Sequence, residues 1–364
     1  MDNSELVAVT GTAIPRRATA IPQLRDPGAD GHLHGHLQDR PAGLKGRDFL
    51  GLKDFRPEAL EYVLDLALAM KAGRDRARHL EGMGIGMLFT VPSTRTRISF
   101  QSAARQLGAQ AECYAPQDLQ LSNSETLVDT AEVMSRFLDA IVVRTYDMNA
   151  YGNGHASLCT MAEHSAVPVI NALDDKEHPC QVMADVLTLR ERFGASYKQR
   201  KVVFTWAYAK RQKSPGVTHS ILTAAALLGL NLTVAFPPGF EPDEEYAAFS
   251  RDAAARSGAR IDFCHDLDAA CAGADVIYAK SWKSLASTAD GDRELRERAR
   301  DRWCVSRRHF DLANPGAVFM DCMPLIRGDE ATAEVVDGPQ SIRYDQAENR
   351  LHVQKAILAS LLGG

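Results

Sequence analysis

The sequence predicts an α/β protein of two doubly wound domains, each a parallel sheet with helices on its faces, the two joined by helices. Three observations predict it. Short apolar runs of strand length alternate with segments of helical period along most of the 364 residues. Several of those runs are continuous rather than alternating, which suits strands buried on both faces of a parallel sheet. The chain also exceeds what one hydrophobic core usually organises, so two domains are expected.

Composition narrows the function classes. Hydrophobic residues make up 45% and charged residues 24% of the chain, ordinary for a globular protein. Forty-two Lys plus Arg against 47 Asp plus Glu leave a net charge of -5, so neither a nucleic-acid partner nor an anionic membrane surface is expected. No apolar run reaches the length of a membrane span; the most apolar region, 221–236, is broken by Thr, Gly and Asn and reads as a buried helix followed by a strand. The seven cysteines are scattered, odd in number and without a Cys-x-x-Cys pair, as free thiols of a cytoplasmic protein would be.

Residues 1–44 mix Pro, Gly, Arg and Asp without either period and read as a mobile N-terminal extension lacking the layout of a secretory signal. His32, His34 and His36 alternate in a Gly-rich stretch there, a pattern that more often binds nothing, and no metal is assigned. The first domain is expected over 45–172. A core-facing helix over 57–71 carries Leu60, Val63, Leu64, Ala67 and Leu68 at helical spacing. A strand over 85–89 follows, broken by Pro92, then a helix over 93–107, a short strand over 111–114, and a helix over 125–138. The strand 140–143 brings Arg144 to its carboxyl end, where open α/β sheets place ligands. A helix near 155–164 and a strand over 167–171 close the unit.

The second domain is expected over 173–340. It opens with a helix begun by Pro179 and ending near Phe193. The alternation then restarts with 202–206, 218–228, 231–236, 244–257, 260–263, 267–271, 276–279 and 318–320. The closing segment, 341–364, is read as an amphipathic helix over 347–362 that returns to the first domain.

Four stretches carry chemistry. In Ser93-Thr94-Arg95-Thr96-Arg97, three hydroxyls and two guanidiniums sit where a strand hands over to a helix. Unpaired N–H groups and the positive end of the helix dipole favour an anion there, and arginine forks match phosphate. His178-Pro179-Cys180-Gln181 begins a helix, so His178 and Gln181 project from one first turn, with Asp185 a turn further on. Asp321-Cys322-Met323-Pro324 directly follows a strand, and Cys322 has no neighbouring histidine to activate it as a nucleophile. Arg350 lies within Ala347-Glu348-Asn349-Arg350-Leu351-His352 of the last helix, where a lone arginine is usually a solvated charge.

Taken together, in this order, these stretches and Arg144 resemble the aspartate/ornithine carbamoyltransferase family, over nearly the whole chain after the extension. The resemblance implies that Ser93, Thr94, Arg95, Thr96, Arg144, His178, Gln181, Cys322, Met323 and Arg350 bind carbamoyl phosphate. Arg95, Thr96, Arg144, His178, Gln181 and Cys322 would be catalytic. Asn171, Lys280, Ser281 and Cys322 would face the amino-acid substrate. It implies no cofactor and no metal. It further implies a homotrimer whose sites are shared, with the loop near 117–124 entering a neighbour's site.

Thr205-Trp206-Ala207-Tyr208 and Tyr278-Ala279-Lys280-Ser281-Trp282 look like the N-acetylornithine branch, whose longer loop after the first of these segments forms a trefoil knot. A knot in the second domain is therefore expected from that likeness alone. Departures concern the amine. Asp321 and Met323 stand where His and Leu are usual, Ile326 where the acetylornithine group has a substrate arginine, and Glu330 where it has a lysine. The ornithine enzymes' Asn pair is missing, and Asn123 lies where aspartate enzymes carry a loop lysine. The expected reaction is carbamoyl transfer to ornithine or an N-acetylornithine-like amine. The alternatives are another diamino acid such as 2,3-diaminopropionate, or a binding protein that keeps the fold without turnover.

Overall fold

The computed structural model describes residues 40–363. The expected extension up to residue 39, with its three histidines, lies outside the described residues. Residues 40–44 are docked: Leu44 is buried, the Arg40 guanidinium donates to the Gly363 carbonyl at 2.7 Å, and the Gly46 N–H donates to Leu361 O at 2.8 Å. The chain is thus tied to its own last helix before the position at which the apolar pattern begins.

The first sheet has four parallel strands in the order β2-β1-β3-β4, where β1 is Gly84–Phe89, β2 Gln110–Tyr114, β3 Ala140–Arg144 and β4 Val169–Leu173. Its helices are α1 (Pro57–Lys71), α2 (Thr94–Leu107), α3 (Leu127–Phe137) and α4 (Asn153–Glu163). The register sets Phe89 opposite Arg144, so the Ser93 turn and Arg144 emerge side by side at one sheet edge. This is the sequence pattern acting through register: a one-residue slip would send Arg144 to the other face.

After α5 (Pro179–Phe193), the second sheet runs β7-β6-β5-β8-β9, again wholly parallel. Its strands are β5 (Lys201–Trp206), β6 (Asn231–Ala235), β7 (Arg260–Cys264), β8 (Val276–Lys280) and β9 (Val318–Met320). Its helices include α6 (Gly216–Leu228), α7 (Glu244–Ser257) and α8 (Leu267–Cys271). Three helices were not legible in the sequence: α9 (Ala289–Ala299), α10 (Arg307–Leu312) and α11 (Ala333–Val336). The reason is plain in α9, whose buried face is polar. Arg296 is 2% exposed, donates to Asp292 at 2.7 Å, to the Ser281 hydroxyl at 2.8 Å and to the Trp282 carbonyl at 2.7 Å, and leaves no apolar period to read.

The last helix, α12 (Arg343–Leu362), packs on α1, α2 and α5. It begins earlier than the expected 347 because its first turns bury Arg343 and Gln346 rather than apolar side chains. That packing carries residue 350 from the chain's end to the start of α2. In the loop after β5, Ala207 N–H donates to Lys280 O, Tyr208 N–H to Trp303 O, and Lys283 N–H to Lys213 O, so this loop lies against the chain that follows β8.

Candidate active site

Ser93 caps α2: its backbone is extended and its hydroxyl accepts the Thr96 N–H at 3.3 Å. Thr94 stays exposed, Arg95 is half-buried and Thr96 is fully buried. From α12, the Arg350 guanidinium, 3% exposed, donates to the Thr96 hydroxyl at 2.7 Å. Beside Ser93, Thr94 and Arg97 opens a cavity of about 650 Å³, walled on its far side by Tyr114, Gln117 and Asp118.

The electrostatics of this corner are one-sided. Burial and then the Arg144 and Arg95 charges push Arg350 down to about 10, and burial followed by the Arg95 charge among its neighbours lowers Arg144. His178 falls well below the usual histidine range, through burial first and then Arg350, Arg144, Lys280 and Arg95. The Nε of Arg144, the Nε of Arg350 and the Nδ1 of His178 are buried and unpartnered within the protein. Three guanidiniums and a neutral imidazole crowded together, with unanswered nitrogens, offer the donors that a compact anion with several oxygens would need.

His178 owes its position to the α5 start. Pro179 sets the first turn, and the His178 N–H donates to the Ser220 hydroxyl on α6 at 2.8 Å. One turn on, Gln181 donates its amide NH2 to Asp185 at 2.8 Å. Asp185 also accepts from Gln346 of α12 at 2.7 Å and from the Tyr278 hydroxyl of β8 at 3.0 Å. The sequence showed Asp185 only as a position one turn from Gln181, and gave no sign of Gln346.

At the carboxyl edge of the second sheet, β8 ends at Lys280 and β9 runs into the Asp321–Pro324 turn. Lys280 is buried, donates to the Ser281 carbonyl at 2.8 Å, and is pushed by burial down to about 8. Cys322 is buried and its thiol is raised by that burial, which leaves it a thiol rather than a nucleophilic thiolate. Asp321 is pushed up to about 6 by burial and accepts the Met323 N–H, which holds the turn. Met323 has φ +52°, and its bond to Pro324 is cis. Lys213 pairs with Glu330 and donates to the Pro324 carbonyl at 2.9 Å.

Not every residue read as substrate-facing has a free side chain. The Ser281 hydroxyl, just past the end of β8, accepts from Arg296 of α9 at 2.8 Å. Asn171 donates to the Leu50 carbonyl at 2.8 Å and to Asp174 at 3.0 Å, leaving only its buried oxygen unpartnered. Among the described residues no cluster of three or more His, Cys, Asp or Glu is arranged for a metal, all seven cysteines are free, and no helix is long and apolar enough to cross a membrane.

An anion receptor at the edge of one parallel sheet, facing a buried lysine and a Cys-containing turn at the edge of a second, defines a two-substrate transferase site. The chain belongs to the aspartate/ornithine carbamoyltransferase family: the carbamoyl-P binding domain matches residues 47–191 and the Asp/Orn binding domain matches 198–361. It is 42% identical over 322 residues to the ornithine carbamoyltransferase of Symbiobacterium thermophilum, covering 88% of this chain and 99% of that one. The solved ornithine carbamoyltransferase of Pyrococcus furiosus superposes with a TM-score of 0.77 at 40% identity, over 88% of this chain and 98% of that one. An acetylornithine transcarbamylase complexed with acetylcitrulline superposes with a TM-score of 0.81 at 34% identity, over 87% of this chain and all of that one. Both branches anticipated from the motifs are therefore represented among its structural relatives.

Proposed function

We propose that the protein transfers the carbamoyl group of carbamoyl phosphate to the amino group of ornithine or an N-acetylornithine-like amino acid, releasing phosphate. The observation that carries this reading is the Arg350 to Thr96 hydrogen bond of 2.7 Å, which joins two positions 254 residues apart beside three unpartnered nitrogens. In this reading the α2 N-terminus, Ser93, Thr94, Arg95 and Arg350 hold the phosphate. Because Arg350 occupies an acceptor position on the Thr96 oxygen, the hydroxyl proton is directed elsewhere, toward the carbamoyl carbonyl. Neutral His178 and Arg144 complete the donors around that oxygen. Gln181 and the Cys322–Met323 carbonyls take the carbamoyl nitrogen.

The amine attacks the carbamoyl carbon as a neutral nucleophile, the tetrahedral oxyanion is held by Thr96, His178 and Arg144, and phosphate leaves with the amine proton. Each such preorganised donor contributes roughly 3 kcal/mol to the transition state. Closure of the two sheet edges over both reactants excludes water and aligns them. Incubating the protein with radiolabelled carbamoyl phosphate and a panel of ornithine, N-acetylornithine, lysine and 2,3-diaminopropionate tests the reading. A carbamoylated amine with stoichiometric phosphate is expected. Donor binding with no phosphate released by any amine would make it a binding protein instead.

Lys280 is assigned to the acceptor carboxylate, with Cys322 beside it and Asn171 and Ser281 bracing the walls. Since Lys280 is held at about 8, it is mainly protonated below that pH and neutral above it. The acceptor KM is therefore expected to rise above pH 8, and Lys280→Met should raise it roughly 100-fold at pH 7, by loss of a buried charge-assisted pair, with donor KM little changed. Equal losses for both substrates would remove Lys280 from the acceptor side.

A cytoplasmic homotrimer is part of the same reading. Phe137 is 80% exposed and Val133, one turn before it on α3, is exposed as well, an apolar strip suited to a second copy. A sedimentation mass of a single chain would count against the trimer. The trefoil knot stays a proposal supported by the family likeness and by the contacts of the 207–214 loop with the chain after β8.

A further inference from the structure

Asp185 lies outside the anion receptor and touches neither reactant in the reading above, yet it is 1% exposed and is the meeting point of three elements. One carboxylate oxygen accepts from Gln181 of α5 at 2.8 Å and from Gln346 of α12 at 2.7 Å; the other accepts from Tyr278 of β8 at 3.0 Å. Gln346 in turn accepts the Asp321 N–H at 3.0 Å with its own amide oxygen, so the turn that carries Cys322 is tied to the same hub.

We propose that Asp185 is a positioning residue that selects the donor: it locks the Gln181 side-chain amide in the orientation that recognises an NH2 group on an acyl phosphate. The inference rests on the carbamoyl-phosphate reading and adds to it the reason for discrimination. A glutamine amide has two faces of opposite character, an oxygen that only accepts and an NH2 that only donates, and a half-turn exchanges them. An ionised carboxylate only accepts, so with Asp185 against it the amide presents its NH2 inward and its oxygen to the ligand. That oxygen matches the N–H of a carbamoyl group. Turned over, the amide would set NH2 against NH2, two donors with no acceptor between them. Acetyl phosphate has the same phosphate and carbonyl, with a methyl in place of the amine. It makes no use of the Gln181 oxygen, so the lock favours the carbamoyl donor alone.

The mechanism predicts an effect confined to one ligand. In Asp185→Leu, kcat/KM for carbamoyl phosphate should fall about 100-fold, the effect of one misplaced active-site hydrogen-bonding group, while the inhibition constant of acetyl phosphate stays within threefold. General loosening of the fold would weaken both ligands alike. Asp185→Asn can keep its oxygen toward the two glutamines and its NH2 toward Tyr278, so it should retain discrimination to within tenfold. Adding Gln181→Leu to Asp185→Leu should cost little more than either change alone, since both remove one interaction. Asp185→Ser, whose hydroxyl donates as well as accepts, repeats the test in a smaller side chain should the leucine variant not fold.

The proposal is overturned if the Asp185→Leu or Asp185→Ser protein still prefers carbamoyl over acetyl phosphate as strongly as the parent, if Asp185→Asn loses as much as Asp185→Leu, or if the losses of the two single variants add in the double. Failure of the parent protein itself to prefer carbamoyl phosphate would instead overturn the donor reading on which the lock depends.

Discussion

Replacing Arg350 by methionine should abolish tight donor binding, by about 100-fold or more, while the ligand-free protein melts no lower than the parent. The two halves of this result follow from one arrangement. Arg350 is buried and faces Arg144 and Arg95, and that burial followed by those two charges holds it down at about 10. A base whose folded pKa is depressed has its charged form disfavoured by the fold, so at neutral pH the guanidinium is carried at a cost to stability. Methionine fills much of the same volume without the charge, and apolar replacement of buried charges is often neutral or stabilising. Against this stands the lost hydrogen bond to Thr96, about 1 kcal/mol. The two nearly cancel, or the charge relief wins. With phosphate or carbamoyl phosphate present the order reverses, because the parent gains stability from a ligand the variant no longer binds. Thermal melting of both proteins with and without donor measures all four states. A drop of more than about 5 °C in the ligand-free variant, with its ligand-induced shift intact, would show that Arg350 is a structural residue and not part of the receptor.

The residues of the proposed receptor were singled out in the sequence for reasons that differ by residue. The Ser93 turn and Arg144 were readable because each follows an apolar run of strand length, which puts it at the carboxyl edge of a parallel sheet; the pairing of Phe89 with Arg144 that sets them side by side appears only in the fold. Arg350 was another matter: nothing in its local sequence separates it from a solvated helical arginine, and only the likeness of its neighbours to a family pattern singled it out. The fold brings it to Thr96 because the first half of α12 buries Arg343, Gln346, Asn349 and Arg350 where the helix packs on α1, α2 and α5, and buried polar groups of that kind leave no apolar mark on position 350. The same blindness hid α9, whose Arg296 and Asp292 form a buried ion pair that reads in one dimension as a solvated charge run. It also hid Asp185 as a hub, since Tyr278 and Gln346 lie 93 and 161 residues away along the chain. Ser281 and Asn171 show the converse limit. Proximity in sequence to a reactive edge does not reveal which hydrogen bonds a side chain has already made.

His178 gives the sharpest division between binding and catalysis. His178→Ala is expected to lower kcat by between about 100- and 1000-fold while leaving the affinity for inorganic phosphate within threefold, since in the proposed reaction its ring serves the carbonyl oxygen and not the phosphate. Its protonation state makes a second, independent claim. Burial, and then Arg350, Arg144, Lys280 and Arg95, hold the ring neutral to well below the usual histidine range. No loss of kcat in the parent enzyme should therefore trace to His178 between pH 6 and 8. Asp185 and Asp321, each pushed up to about 6 by burial, take on protons at the acid end of that range instead. An acid limb near pH 6 should consequently persist in His178→Ala, at reduced amplitude but unchanged midpoint. Stability also falls toward acid pH, and to that fall His178 does contribute. The unfolded chain protonates this histidine near 6.5 and the folded chain does not, so the parent loses stability as pH falls below that value, and the alanine variant is spared that part of the loss. Should the acid limb vanish with His178, the ring is the titrating group, the cationic surroundings do not keep it neutral, and its role as an uncharged donor to the carbamoyl oxygen fails.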